Sequence, residues 1–269
     1  MAENTEISLA DSTFNPRSRT KTWGDPIKWN NRHDAFFAEH GRMRRVFCAS
    51  LGDVFDKDVD TQWRHDLWNL ICATPNLDWL LLTKRIGNAP NLVDSRWMEY
   101  GFPDNVWLGA TVVNQEEADR DIPKLLQIPA MVRFLSIEPM LGAIDLCNLP
   151  SRSGIGRHLD SLSNAGCEEA DLSTKINWVI CGGESGSNAR PIHPDWVRSL
   201  RNQCHAADVP FLFKQWGEFG PANDLNSPPL RGDMQIFGDM KKPMCRFGKK
   251  TAGRWLDGVQ HNAFPKAGL

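Results

Sequence analysis

Short apolar runs alternate with amphipathic stretches along most of the chain, and this alternation is the main structural signal in the sequence. The runs are too short for helices and are bounded by polar or turn-forming residues, so each is predicted to be a strand. Such alternation implies parallel strands joined by crossover helices. The predicted strands cover residues 45–50, 79–83, 106–111, 132–138, 177–182 and 211–213, and a seventh is placed between residues 6 and 16.

The stretch from residue 177 to residue 200 is the clearest unit of this kind. Its apolar run ends in Gly182, Gly183 and Glu184. A helix is then predicted to begin at Pro194, with His193 as its N-cap, because proline is well tolerated at the first helical position. The order strand, polar loop, helix therefore places a Gly-Gly-Glu tip at the carboxyl end of a strand.

Polar side chains follow the predicted strands at their carboxyl ends. In a parallel β/α barrel these ends meet at one rim, which carries the active site, whereas an open doubly wound sheet gathers them at one crevice. Because every long run has a polar tip, we predict an α/β fold, a TIM-like parallel β/α barrel, complete or partial, in one domain of residues 1–269. The tips are Asp53, Lys84, Arg85, Asn114, Gln115, Glu138, Glu184, Lys214 and Gln215.

Two segments fall outside the alternating pattern. Residues 148–175, rich in Ser, Gly, Asn and Asp, are predicted to be a surface excursion. Residues 217–269 are predicted to be a C-terminal extension that either closes the barrel or lies across its rim.

The charged tips are the candidate catalytic residues, because paired carboxylates beside cations can transfer protons or hold a charged ligand. The alternative is a rim of mutual salt bridges that only neutralises buried charge. No Walker loop, Gly-x-Ser-x-Gly elbow or His-Glu-x-x-His motif is present, and no metal ligand is predicted. The candidates are Asp53, Lys84, Arg85, Glu138, Glu184 and Lys214.

Charge and composition narrow the class of protein. The net charge of −2 gives no global field for nucleic acid or membrane, and the longest strongly apolar run, residues 79–82, is far too short to span a bilayer. The N-terminus lacks a signal-peptide pattern, so a cytoplasmic protein without membrane contact is predicted. The seven cysteines are odd in number and widely spaced, which argues against a disulfide framework and against a local metal site.

Two segments are locally basic. Residues 17–46 interleave Lys and Arg with Trp23 and Trp29, and residues 241–254 hold a second basic run. Residues 17–46 are interpreted either as a solvated surface loop or as a rim that faces phosphates, and a nucleic-acid-binding module would use both basic segments.

Several short motifs resemble a phage-borne family of unknown function, often called phage three-cysteine-motif proteins, which look like radical S-adenosylmethionine enzymes. The resemblance covers nearly the whole chain. It implies a radical-SAM-like barrel, a phage or prophage origin, and a protein partner encoded by a neighbouring gene. The motifs are Thr13-Phe14-Asn15-Pro16, residues 26–30, residues 46–55, residues 81–85, Trp107-Leu108-Gly109, residues 138–142, residues 182–186, residues 213–217 and Gly248-Lys249-Lys250.

The sequence departs from that family at the cluster motif. The family carries three cysteines directly after the Thr-x-Asn-Pro element, where their thiolates hold a [4Fe–4S] cluster that binds S-adenosylmethionine. Here Pro16 is followed by Arg17, and no cysteine occurs before Cys48. We therefore predict no competent cluster and no reductive cleavage of S-adenosylmethionine.

The resemblance also implies a place for S-adenosylmethionine itself. Gly182, Gly183 and Glu184 are similar to the Gly-Gly-Glu element that holds its amino group, although they follow a later strand than in radical enzymes. The leading hypothesis is a radical-SAM-like barrel without its cluster, and the first alternative is a nucleic-acid-binding module. The second is a metal-independent barrel enzyme that uses Glu138, Glu184 and Lys214 on a phosphorylated or nucleotide-like compound.

Overall fold

The computed structural model describes residues 6–7, 21–48, 52–150, 158–163, 175–222, 234–235 and 243–265. The chain divides into two compact units. The first contains Met1–Thr111, Lys124–Phe134 and Lys266–Leu269, and the second contains Val112–Pro123 and Leu135–Pro265. Each unit is described by itself.

The first unit is a parallel sheet with crossover helices, in the strand order β1-β2-β3-β4. The pairs β1–β2, β2–β3 and β3–β4 are all parallel. Val46, Trp79, Leu81 and Leu108 are fully buried. The elements are β1 (Glu6–Ile7), α1 (Asp25–Asn31), α2 (His33–His40), β2 (Arg44–Cys48), α3 (Thr61–Cys72), β3 (Leu77–Thr83), α4 (Ala89–Leu92), α5 (Ser95–Tyr100) and β4 (Val106–Thr111).

Helix α3 begins at Thr61, where the Asp60 carboxylate caps it by accepting a hydrogen bond from the Gln62 amide at 2.7 Å. Its buried face includes Leu67 and Ile71. Arg64 is also buried, and its guanidinium donates to the carbonyls of Val54, Asp56 and Val59. These bonds hold the loop that follows β2 against the helix.

The second unit also contains parallel strands, and it has two short antiparallel sheets in addition. Strands β8 and β9 are parallel, and the main-sheet order in this unit is β5-β8-β9. Short antiparallel sheets follow the orders β10-β12-β11 and β6-β7. The remaining elements are α6 (Gln115–Leu126), β5 (Val132–Ile137), β6 (Leu149–Pro150), β7 (His158–Leu159), β8 (Trp178–Gly182), α7 (Pro194–Ala206), β9 (Phe211–Gln215), β10 (Phe219–Pro221), β11 (Met234–Gln235), β12 (Met244–Arg246) and α8 (Lys249–Ala252), of which α6 and β5 contain residues of both units.

Both edges of β9 are occupied. One edge pairs with β8, and the other meets the C-terminal segment, where the Phe213 amide donates to the His261 carbonyl and the Ala263 amide donates to the Phe211 carbonyl. A strand with two occupied edges cannot pair with another strand. The alternative of a complete barrel is therefore wrong at this strand, and this part of the extension 217–269 acts as the cover of a sheet edge.

The mixed α/β class with parallel strands is confirmed, and a partial β/α barrel is compatible with it. Strands β3, β4, β5, β8 and β9 lie where the apolar runs predict them, and the predicted seventh strand is found at Glu6–Ile7. No helix among the described ranges is long and apolar enough to cross a membrane. The single-domain boundaries and the radical-SAM-like character of the barrel stay predictions.

Two local expectations need correction. The basic segment 17–46 is not a loop between residues 25 and 40, because helices α1 and α2 lie there. The described part of the excursion 148–175 is anchored rather than wholly superficial, because Leu149 and Leu162 are fully buried and Ser161 donates to the Leu146 carbonyl.

Candidate functional site

In the first unit, Asp53 fastens the loop after β2 to the end of β3. Its carboxylate accepts hydrogen bonds from the Thr83 hydroxyl at 2.7 Å and from the amides of Phe55 and Lys84, both at 3.0 Å. The side chain is only 7% exposed. A carboxylate with this many fixed donors and so little exposure acts as a structural acceptor.

The two predicted cations beside Asp53 differ from each other. Arg85 forms ion pairs with Asp53 at 3.3 Å and with Asp56 at 3.4 Å. Lys84 is exposed, and within the described ranges its ammonium has no hydrogen-bond or ion-pair partner. Asp53, Lys84 and Arg85 are thus brought together, as predicted from the strand ends, but Asp53 is already satisfied by the protein.

In the second unit, Glu138 follows β5 and meets two consecutive side chains of β9. Its Oε2 accepts from the Lys214 Nζ at 3.0 Å, and its Oε1 accepts from the Gln215 Nε2 at 3.1 Å. The Glu138 side chain is 18% exposed and that of Lys214 is 50% exposed. The structure thus brings the predicted residues Glu138 and Lys214 together, and water can reach the pair.

A bulge explains how neighbouring residues of one strand reach the same carboxylate. The register between β8 and β9 pairs Cys181 with Phe213 and then Gly182 with Gln215, so Lys214 is an extra residue in the ladder. Adjacent side chains of a regular strand point to opposite faces. Bulges re-aim side chains and are frequent next to active sites, although they are rare between parallel strands.

The glycines of the predicted Gly-Gly-Glu element are required by close packing. A Cβ on Gly182 would lie 3.0 Å from the Glu138 Oε1, and one on Gly183 would lie 1.9 Å from the Trp216 carbonyl oxygen. Gln215 also donates to the Gly183 carbonyl at 3.3 Å. Gly182 and Gly183 therefore contribute to the site by leaving room for Glu138 and for the chain after β9.

Glu184 is engaged by a residue that the sequence did not point to. Arg190 donates to its two carboxylate oxygens at 2.8 and 3.0 Å, and the Arg190 amide donates at 2.8 Å. These hydrogen bonds lower the pKa of Glu184 below its ordinary value. In this arrangement both oxygens of Glu184 are used internally, so the amino group of S-adenosylmethionine would have to compete with Arg190 for this carboxylate.

The loop that carries Glu184 is tied to the chain after β9. Glu218 accepts from the Gly186 amide at 3.1 Å, and Arg246 lies 3.8 Å from the Glu218 carboxylate. The Arg246 guanidinium also lies 4.5 Å from the centre of the Phe219 ring. Arg246, counted from the sequence among the basic residues of the tail, thus takes part in internal contacts.

The predicted tips Asn114 and Gln115 also have structural roles. Asn114 accepts from the Glu117 amide and so caps the start of α6, and the Glu117 carboxylate accepts from the Val113 amide, one residue before the position used in a capping box. Gln115 pairs with Asp119 and with the backbone of Asp145. The predicted N-cap His193 is confirmed, since its Nδ1 accepts from the Asp195 amide.

The described cysteines do not fit a [4Fe–4S] cluster. Cys48 lies inside β2, where burial raises its pKa to about 12, and burial also raises the pKa of Cys181 and Cys204. Cluster binding requires thiolates gathered at one place. In the described part of the chain no group of three or more His, Cys, Asp or Glu residues is placed to hold a metal ion.

The basic segment 17–46 contributes a patch of cations and aromatic rings to the first unit. The Arg44 guanidinium lies 4.5 Å from the centre of the Phe36 ring and 5.6 Å from that of Trp29, and Arg42 lies 5.3 Å from Phe36. In the segment 241–254, Lys249 and Lys250 are exposed in α8. Residues 241 and 242 lie outside the described residues, as does the Thr-x-Asn-Pro element.

The comparisons identify the family but no activity. A family model with the description "protein of unknown function (DUF5131)" matches residues 2–265, so the chain belongs to this family. Neither the curated proteins nor the solved structures contain a match.

Proposed function

We propose that this protein is a metal-independent β/α enzyme in which Glu138 and Lys214 perform acid–base chemistry on a phosphorylated or nucleotide-like compound. Glu138 transfers the proton, and Lys214 supplies the cation that faces the ligand. The scaffold is of the radical-SAM-like kind, in keeping with the phage three-cysteine-motif resemblance, and works without a cluster. Glu184 belongs to the same rim and orders its loop through Arg190.

The observation that carries this proposal is the bulge at Lys214. It directs Lys214 and Gln215 onto one carboxylate, which is 18% exposed, at the carboxyl ends of parallel strands. Those ends are where parallel β/α proteins bind their substrates. Asp53, by contrast, has its donors inside the protein, which favours Glu138 as the reactive acid.

Alanine replacements test the site. Glu138→Ala and Lys214→Ala should abolish binding of AMP or ribose 5-phosphate in isothermal titration calorimetry, while the melting temperature stays nearly unchanged. Lys57→Ala, at an exposed lysine of the first unit, is the control that should keep binding. Unaltered binding in both variants, together with a large fall in melting temperature, would support the salt-bridge alternative instead.

The absence of a competent cluster has its own test. Anaerobic reconstitution of the purified chain with iron and sulfide should not give the absorbance at about 400 nm of a stoichiometric thiolate-bound cluster. It should also give no cleavage of S-adenosylmethionine under a strong reductant. A stoichiometric cluster would refute this part of the proposal and would favour a radical S-adenosylmethionine enzyme instead.

Nucleic-acid binding is the second candidate, favoured by the convergence of Arg42 and Arg44 on the Phe36 ring. Basic residues interleaved with aromatic rings are typical of single-strand binding surfaces. If the patch binds DNA or RNA, the affinity for a labelled oligonucleotide should fall steeply with salt and weaken in Arg42→Gln/Arg44→Gln. Binding that ignores salt would count against this candidate.

A further inference from the structure

Helix α2 of the first unit carries four ring-bearing side chains on one face. His33, Phe36, Phe37 and His40 follow the i, i+3, i+4, i+7 spacing that places side chains on one side of a helix. A face of this kind normally packs against the core of the protein. None of the eight residues of α2 is buried, however, so the ring face is partly open to a ligand.

Phe36 and Phe37 are neighbours in the sequence but differ in their surroundings. The ring of Phe36 is used internally, because the guanidinium groups of Arg44 and Arg42 lie 4.5 and 5.3 Å from its centre. Phe37 is 45% exposed, and its ring contact in the described part of the chain is a tilted one with His33 at 5.6 Å. Phe37 therefore keeps open ring surface beside the two arginines that Phe36 holds.

Those two arginines form no ion pair with any carboxylate of the described ranges. Gly41 ends α2 with a φ of +64°, and the chain turns there so that Arg42 and Arg44 come back to the rings of the helix. Arg42 donates to the Met43 carbonyl at 3.1 Å, and it acts on Asp78 through its charge without pairing with it. Arginines held on an aromatic ring without a carboxylate partner are suited to phosphate, which fits their planar fork.

We propose that this ring face binds single-stranded rather than double-stranded nucleic acid, with one base stacked on Phe37 and with Arg42 and Arg44 on neighbouring phosphates. The inference rests on the nucleic-acid candidate, because it assigns the kind of strand to the same patch. A single strand offers the flat face of a base next to a phosphate, whereas the bases of a duplex are stacked on one another. A surface that contacts only phosphates has no use for the exposed ring of Phe37.

The carboxylates of α2 also favour a single strand. Asp34 and Glu39 are exposed on this short helix, at positions outside the ring face. Their charges repel phosphates that approach from either side of the rings. A single strand can follow the ring face alone, but a duplex brings a second row of phosphates toward these carboxylates.

Fluorescence anisotropy on the full chain tests the inference with three labelled probes of equal length. They are an oligothymidylate of about 12 nucleotides, within the site sizes of single-strand binding folds, its duplex with oligoadenylate, and an abasic strand. The oligothymidylate should bind at least about tenfold more tightly than the duplex or the abasic strand, the size of effect expected for one stacked base.

Phe37→Leu keeps an apolar side chain but removes the ring. It should weaken binding of the oligothymidylate about tenfold and leave binding of the abasic strand unchanged, which also shows that the variant is folded. Tyr100→Leu is the matched control, because Tyr100 is another exposed ring of the first unit and should not affect binding.

The salt dependence separates this inference from the nucleic-acid candidate. Arg42→Gln/Arg44→Gln should reduce the slope of log K against log salt by about 1.4, about 0.7 for each phosphate contact, whereas Phe37→Leu should leave the slope unchanged. Equal, salt-dependent affinity for all three probes would overturn the inference and leave the candidate standing. Absence of salt-dependent binding to any probe would overturn both. Competition by polyglutamate as strong as that by oligothymidylate would also overturn the inference and would indicate an acidic protein segment instead.

Discussion

Asp53 and Glu138 both follow a parallel strand, but the protein uses them in opposite ways. Asp53 is held by two backbone amides and a threonine hydroxyl and is 7% exposed. Glu138 is held only by side chains, Lys214 and Gln215, and is 18% exposed. The end of a parallel strand thus fixes where a carboxylate lies. The hydrogen-bond donors around the carboxylate then decide whether it stabilises the fold or remains available for reaction.

The first prediction tests the structural role of Asp53 against that of Glu138. Asp53→Asn removes an acceptor from several buried donors, each costing about 1–3 kcal/mol when unpaired, so the free energy of unfolding should fall by about 4 kcal/mol. Glu138→Gln should lower it by less than about 1 kcal/mol, because the pair is open to water. Urea unfolding of both variants measures the contrast, and equal losses would contradict the division into a fastener and a reactive acid.

The second prediction concerns the glycines beside Glu138. Gly183→Ala places a methyl group 1.9 Å from the Trp216 carbonyl oxygen, so the backbone must move, and a loss of about 3 kcal/mol is expected. Gly186→Ala is the matched control, since its φ of +107° gives strain of only about 1–2 kcal/mol and nothing lies within 4 Å. Thermal or urea unfolding should show the larger loss of stability in Gly183→Ala. A larger loss in Gly186→Ala would show that the backbone at Gly183 and Trp216 can move apart at little cost.

The third prediction concerns Asp78, a buried carboxylate of the first unit. Burial raises the pKa of Asp78 to about 6, because the nearby charges of Arg45, 3.9 Å away, and of Arg42 offset only part of the cost of burying the carboxylate. The folded state therefore binds the Asp78 proton more tightly than the unfolded state. This stabilisation is complete below the ordinary pKa of 3.8 and is lost as the pH rises through about 6.

The measurement is a pair of stability curves. Between about pH 4 and pH 7 the wild type should lose up to about 3 kcal/mol of unfolding free energy relative to Asp78→Asn. Parallel curves for the two proteins would mean that Asp78 keeps an ordinary pKa in the folded state.

The smallest effect is expected at Glu184. Arg190→Ala removes the guanidinium hydrogen bonds, which are the main cause of the lowered pKa of Glu184, and keeps the bond from the backbone amide. The pKa of Glu184 should therefore rise part of the way toward its ordinary value, as measured by carboxyl-carbon NMR titration. Arg190→Lys should restore only part of the shift, because lysine cannot make the two-pronged contact. An unmoved pKa in Arg190→Ala would show that the ion pair does not persist in solution.

The parallel strands could be predicted because their cores are continuous apolar runs. Strand β4 lies at Val106–Thr111, where the run predicts it, and β3 begins at Leu77, two residues before the predicted start. Helix α2 gave no such signal, since none of its residues is buried. The better indications there were Pro26 at the start of α1 and Gly41, which ends α2 in the left-handed conformation.

The chemistry of the site was only partly visible in the sequence. The strand ends located Glu138 and Lys214, but their meeting depends on a register shift opposite Gly182 that no residue pattern encodes. Arg190 follows Glu184 by six residues in a loop without periodicity, so nothing marked it as a partner. The spacing of Asn114 and Glu117 is typical of a capped helix start, so the sequence could have identified the polar tip Asn114 as a helix cap.

The C-terminal segment that pairs with the edge of β9 also has a consequence for folding during synthesis. Phe213 and Phe211 leave the ribosome well before His261 and Ala263, the residues that complete their backbone hydrogen bonds. During that interval the nascent chain presents an unpaired strand edge next to Lys214 and Gln215. Assembly of this edge therefore waits for late synthesis, and a ribosome that stalls between these points would hold a chain whose proposed catalytic strand is still open to a foreign strand.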